Sequence, residues 1–144
     1  MIAQRLLALT SGWNDTDRVN FVISFVFNNI SGQEDYYVSG NIHGDYWKLP
    51  AETLWEGEGD CEDHAFLFAS LIKAMGYRSV IYSVSVANYD KLILNHLANG
   101  VAVPGGSGSY IVIDGVAYYY CDATLLLYAG NYPYWSVILG IYLV

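Results

Sequence analysis

The chain has 144 residues, 54% of them hydrophobic, and sets six Lys and Arg against 14 Asp and Glu for a net charge of −8. That length and apolar content predict one compact domain over residues 1–144 and argue against disorder, which needs low hydrophobicity and high charge. The six cations, Arg5, Arg18, Lys48, Lys73, Arg78 and Lys91, are scattered, which argues against binding nucleic acid or an anionic membrane surface; solubility alone accounts for the acidic surplus.

In chain order, MIAQRLLALTSGW (1–13) has a short apolar patch and no small-residue cleavage site, so it predicts a turn or two of helix rather than a leader, and localisation stays open. Residues 15–30, DTDRVNFVISFVFNNI, alternate in part like a strand, but the polar stripe Asn20, Ser24, Asn28 and an N-cap at Asn14 or Asp15 predict a helix. Residues 31–59 carry five glycines, a proline and the aromatics Tyr36, Tyr37, Tyr46, Trp47 and Trp55, which predicts a long, packed loop. Residues 61–75 predict the central helix: Asp60 is an N-cap, Asp63 completes a variant capping box, Gly76 is a stop, and the apolar residues between leave almost no polar face.

From there the period changes to two. RSVIYSVSV (78–86) alternates as a strand, LILNHLANGVAV (92–103) is a second strand region interrupted near Asn99-Gly100, and Asp114-Gly115 joins YIVI to VAYYYCD as a hairpin. The last apolar run, YWSVILGIYLV, is too short for a membrane-spanning helix and predicts a buried strand within 135–144. Helices followed by a mostly antiparallel sheet place the chain in the α+β class.

The chemistry gathers around GDCEDHA (59–65), where one of two cysteines sits among charges. A disulfide would need Cys121, which sits in an alternating strand and reads as a small core residue. Zinc would need paired ligand spacings that are absent, and the acids Glu52, Glu56, Glu58, Asp60, Glu62 and Asp63 show no EF-hand spacing, so they read as a solvated loop and favourable charge at a helix N-terminus. Two readings of Cys61 remain, a structural thiol and a nucleophile. A helix N-terminus stabilises a thiolate and offers backbone N–H groups to an oxyanion, but the neighbouring acids oppose the thiolate, so a histidine partner is required. His43 reads as a solvated loop residue. His64 is tied to the same helix as Cys61 and reads as a capping or packing residue. His96, on a strand, is a workable partner or a structural histidine. Asp122, on one strand face with Tyr118 and Tyr120, suits an imidazole-orienting carboxylate or a strand-end turn.

These blocks resemble the transglutaminase-like cysteine peptidase superfamily. LPAETLWEGEGDCEDHAFLFASLIKAMGY (49–77) is similar to its nucleophile helix, NHLANGVAV to its histidine strand, and DGVAYYYCDAT to its aspartate hairpin, in the family's Cys, His, Asp order. The resemblance implies a papain/transglutaminase-like α+β core, a central helix carrying the nucleophile packed on an antiparallel sheet. It implies Cys61 as nucleophile, His96 as general base and acid, and Asp122 as the orienting carboxylate, with no cofactor and no metal. The implied reaction is acyl transfer at an amide of a protein or peptide substrate, resolved by water or by an amine. Trp47 and Trp55 are candidates for the second oxyanion donor, though packing is the expectation for both. The acidic run 52–63 would favour a cationic substrate or amine acceptor. The rival from another class is a non-catalytic peptide- or glycan-binding module on the same fold. A metal-dependent hydrolase stands behind both.

Overall fold

A computed structural model describes residues 1–32, 48–88, 91–133 and 136–143. Among the described residues four helices precede the main sheet: α1 (Ile2–Leu9), α2 (Asp15–Asn29), α3 (Pro50–Glu56) and α4 (Cys61–Ala74), with the short strands β1 (Ser31–Gly32) and β2 (Glu58–Gly59) paired in parallel between them. The sheet follows as β3 (Ser79–Asn88), β4 (Lys91–Val101), β5 (Tyr110–Ile113), β6 (Val116–Cys121) and β7 (Ser136–Leu143). Its five strands lie in the order β5-β6-β4-β3-β7, and every pairing is antiparallel.

Helix boundaries follow local chemistry. The Asn14 side chain accepts from the Asp17 amide at 2.8 Å and starts α2, while Gly76, at φ +95°, ends the turn after α4. Val19, Val22, Ile23 and Val26 of α2 then pack against Leu67, Phe68, Leu71 and Ile72 of α4, all in one buried cluster with Val101 and Cys121 from the sheet and Val103 just beyond β4. Strand alternation turns Val80, Tyr82, Val84, Ala98, Tyr118 and Tyr120 into a second cluster on the opposite face. Residues of both edge strands, Tyr110 and Ile111 of β5 and Ile138 of β7, line one cavity on that second face, so the sheet curls over it. Among the described residues no helix is long and apolar enough to cross a membrane.

Four expectations are corrected. Residues 31–59 are not one loop: Pro50 stands in the first turn of α3, where a missing N–H costs nothing, and Gly57 at φ +71° closes it. Of the aromatics placed in that loop, Tyr36, Tyr37, Tyr46 and Trp47 fall outside the described residues, and Trp55 is 90% exposed rather than packed. β4 runs unbroken through Asn99-Gly100; the glycine is needed because a Cβ there would meet the Tyr82 hydroxyl at 2.4 Å, and the register shift falls instead between Val84 and Val86 of β3. Finally, β7 is not buried. It pairs only with β3 among the described residues; Val137 and Leu139 face outward at 60 and 61% exposure, and Ile141, across from Tyr82 beyond a register shift, is still 40% exposed.

Candidate active site

The helix that carries Cys61 is built at its first turn by the residues around it. Asp60 Oδ1 accepts from the Glu62 amide at 3.0 Å and the Asp63 amide at 3.2 Å, and Asp63 Oδ2 accepts from the Asp60 amide at 3.1 Å, which completes the expected capping box. The His64 amide donates to the Asp60 carbonyl at 3.0 Å. Together these bonds engage the amides of Glu62, Asp63 and His64, and among the described residues the Cys61 amide is the first-turn donor outside this set. Asp63 is fully buried, contrary to its reading as a solvated acid, because its Oδ1 also accepts from the Lys48 amide at 3.1 Å. Gly59 makes room for that carboxylate: a Cβ on Gly59 would lie 2.6 Å from the Asp63 Cβ. Lys48, itself buried, donates from Nζ to the Glu58 carbonyl at 3.0 Å and pairs with Glu56, so this part of the acidic run is partly neutralised.

The three histidines separate as follows. His43 lies outside the described residues. The ring nitrogens of buried His64 sit 2.6 Å from the Asp60 carbonyl oxygen and 3.1 Å from that of Ile30, so this side chain ties the head of α4 to the end of α2, the packing job expected of it. His96, on β4 and 3% exposed, donates from Nε2 to Asp122 Oδ2 at 2.5 Å. The partly exposed Cys61 acts on the same ring, adding to the upward push that Asp122 gives its proton affinity. Burial alone would lower the affinity of His96 for its proton; the hydrogen bonds and negative charge of Asp122 and Cys61 outweigh it and raise the imidazole from 6.5 to about 10.

Asp122 is held as firmly as the ring it faces. Its Oδ1 accepts from the amides of Thr124 at 2.8 Å and Leu125 at 3.2 Å, which is the strand-end turn geometry the sequence also allowed. Its backbone makes a two-bond bridge with Leu127, and the turn between them places Leu126 at φ +53°. A second polar tie, Asn99 Nδ2 to the Ala65 carbonyl at 3.2 Å, joins β4 to α4 inside the core. The sequence reading missed it, having taken Asn99 as a break. Cys121 is fully buried as expected, and burial first, then the Asp122 charge, pushes its thiol well up. Cys61, His96 and Asp122 are therefore brought together from one helix and two adjacent strands. Among the described residues no group of three or more His, Cys, Asp or Glu is placed to hold a metal ion.

Comparison with known proteins agrees with this architecture. The family described as the transglutaminase-like domain matches residues 5–124. A UPF0252 protein of Archaeoglobus fulgidus is 34% identical over 71 residues, 49% of this chain and 21% of that one, so the match spans about a fifth of the relative's length. A solved candidate cysteine protease from Cytophaga hutchinsonii superposes with a TM-score of 0.61 at 14% identity, over 99% of this chain and 49% of its own. EGTA-treated LapG of Legionella pneumophila gives a TM-score of 0.67 at 17% identity, over 99% of this chain and 74% of its own. At such identities the structural likeness speaks to the fold, and it bears out the α+β papain/transglutaminase-like core.

Proposed function

Because the chain belongs to the transglutaminase-like domain family and its fold is that of cysteine-protease-like neighbours, we propose that it performs cysteine-dependent acyl transfer at an amide of a protein or peptide substrate. The observation that carries this reading is the convergence of Cys61, His96 and Asp122, with the imidazole donating to Asp122 Oδ2 at 2.5 Å and its proton affinity raised by that carboxylate and by the thiol at the head of α4. In this reading the resting site is a thiolate–imidazolium pair. The Cys61 sulfur attacks the carbonyl carbon, a C–S bond forms, and negative charge moves to the carbonyl oxygen beside the Cys61 amide. His96 then gives its proton to the departing amine as the C–N bond breaks, leaving a thioester. Water or an amine next attacks the thioester, His96 accepts the proton released, and the thiolate departs. Asp122 fixes the ring and stabilises imidazolium without taking the proton. Proton transfer of this kind contributes about 10²- to 10⁴-fold.

The test uses both thiols. Iodoacetamide is expected to alkylate Cys61 much faster than Cys121 in the folded chain, and Cys61→Ala to abolish the fast phase. Slow, equal labelling of both would remove the nucleophile and favour a binding module on this fold.

A further inference from the structure

On the face of the sheet that carries His96 and Asp122 lies a cavity of about 250 Å³, walled by Tyr82, Tyr110, Tyr118, Tyr120, Tyr132 and Ile138 among others. Cys61, His96 and Asp122 are not among its described lining residues, but two of its walls neighbour them along the strands. Tyr120 precedes Asp122 by two residues on the same face, about 7 Å along the strand direction. Tyr82 pairs with Ala98, two residues from His96. The cavity falls just below the roughly 300–1,000 Å³ of sites for drug-sized ligands, which suits a single side chain.

Its walls define the chemistry. Among the described residues no charged side chain lines it. Tyr82 and Tyr120 stack on each other, centroids 5.8 Å apart and 4° from parallel, and Tyr132 meets Tyr120 edge-on at 5.0 Å and 88°. With ring faces spent on one another, the wall is poorly disposed for a cation and well disposed for another aromatic ring. One polar group stands out. The Tyr82 hydroxyl donates to the Tyr118 carbonyl at 3.1 Å, but the Tyr120 hydroxyl, in a residue only 2% exposed, has no hydrogen-bond partner among the described residues. A buried hydroxyl without a partner is costly, and a bound group that supplies one recovers that cost.

We propose that this tyrosine-walled cavity is the specificity subsite of the acyl substrate and receives a neutral aromatic side chain with a polar tip, of the tyrosine type, whose hydroxyl pairs with that of Tyr120. The assignment rests on the acyl-transfer reading above and names the substrate class for it.

The probes are N-acetyl aminoacyl chloromethyl ketones bearing Tyr, Phe, Ala or Lys side chains, with iodoacetamide as the probe that has no side chain. In each chloromethyl ketone the Cys61 sulfur displaces chloride, so a C–S bond forms as the C–Cl bond breaks. The Tyr reagent is expected to label Cys61 at least tenfold faster than the Ala or Lys reagent, and about fivefold faster than the Phe reagent, the worth of one hydrogen bond. Tyr120→Phe is expected to erase the Tyr-over-Phe ratio and keep the Phe-over-Ala ratio. Ile138→Trp, which fills the cavity, is expected to bring both ratios toward one. Equal rates for the Tyr and Ala reagents, a preference that survives Ile138→Trp, or a fastest reaction with the Lys reagent overturns the subsite while fast iodoacetamide labelling leaves the nucleophile standing. Slow iodoacetamide labelling of Cys61 defeats the acyl-transfer reading and this assignment with it.

Discussion

His96 is where the chemistry and the stability of the molecule meet. Its imidazole is raised from 6.5 to about 10 against the opposing effect of burial, by the hydrogen bonds and charges of Asp122 and Cys61. A group whose folded value is raised stabilises the fold while protonated, fully below about pH 6.5, with the contribution declining and lost as pH rises through about 10. Thermal melting across that window should therefore show stability falling with pH in the native chain. Asp122→Asn should flatten this dependence and slow acyl transfer by roughly 10²- to 10⁴-fold, since the ring loses both its partner charge and its enforced tautomer. Parallel melting curves for the two proteins would contradict the pairing. Gly59 offers a test of a different kind. A methyl group there meets the Asp63 Cβ at 2.6 Å, and Asp63 is fixed in the capping box, so Gly59→Ala should cost about 1–3 kcal/mol in urea denaturation. The letters of GDCEDHA were legible because each has a local job: space at Gly59, capping at Asp60 and Asp63, the thiol at Cys61, the tie at His64. The Tyr120 hydroxyl was not legible, because an alternating run of tyrosines looks the same whether or not each hydroxyl finds a partner.

At the scale of elements, α2 and α4 were readable because caps and a 3.6-residue pattern agree over 15 and 14 residues. The hairpin was readable because its turn demands positive φ at both central positions, +50° at Asp114 and +80° at Gly115, and Asp-Gly tolerates both. α3, only seven residues long, is too short to show a period, and its proline passed for a breaker. β7 misled for another reason. Hydrophobicity reports that a strand can be buried, whereas its place in the strand order decides whether it is, and order is a property of pairings distant in sequence. The consequence is measurable. Leu139→Lys, on the outward row of β7, should change unfolding free energy by no more than about 0.5 kcal/mol, whereas Ile72→Ala, fully buried on α4, should cost about 2–5 kcal/mol. A large loss for Leu139→Lys would mean that the outward row is covered.

For the whole molecule, the candidate site depends on the docking of two layers, since Cys61 belongs to the helices and His96 and Asp122 to the sheet. Asn99 to Ala65 is a polar tie between those layers, and the buried cluster of α2, α4, Val101 and Cys121 is the apolar one. The second cysteine makes that docking observable. Cys121 is fully buried in the same cluster as Phe68, and its thiol is pushed well up by burial and by Asp122, so it reacts only when the cluster opens. Cys61 lies partly exposed at the head of α4, so on the acyl-transfer reading it is expected to react in the folded state. Phe68→Ala removes a fully buried ring from the shared cluster, which costs about 3–5 kcal/mol. With opening and closing fast relative to alkylation, that loss should accelerate Cys121 labelling by about 10²- to 10⁴-fold under native conditions. The Cys61 rate should hold steady until the midpoint of unfolding, because the geometry it reports is intact in every folded molecule. If instead both thiols accelerate together well below the midpoint, the layers separate locally before the chain unfolds, and the site is held by the polar ties rather than by the core.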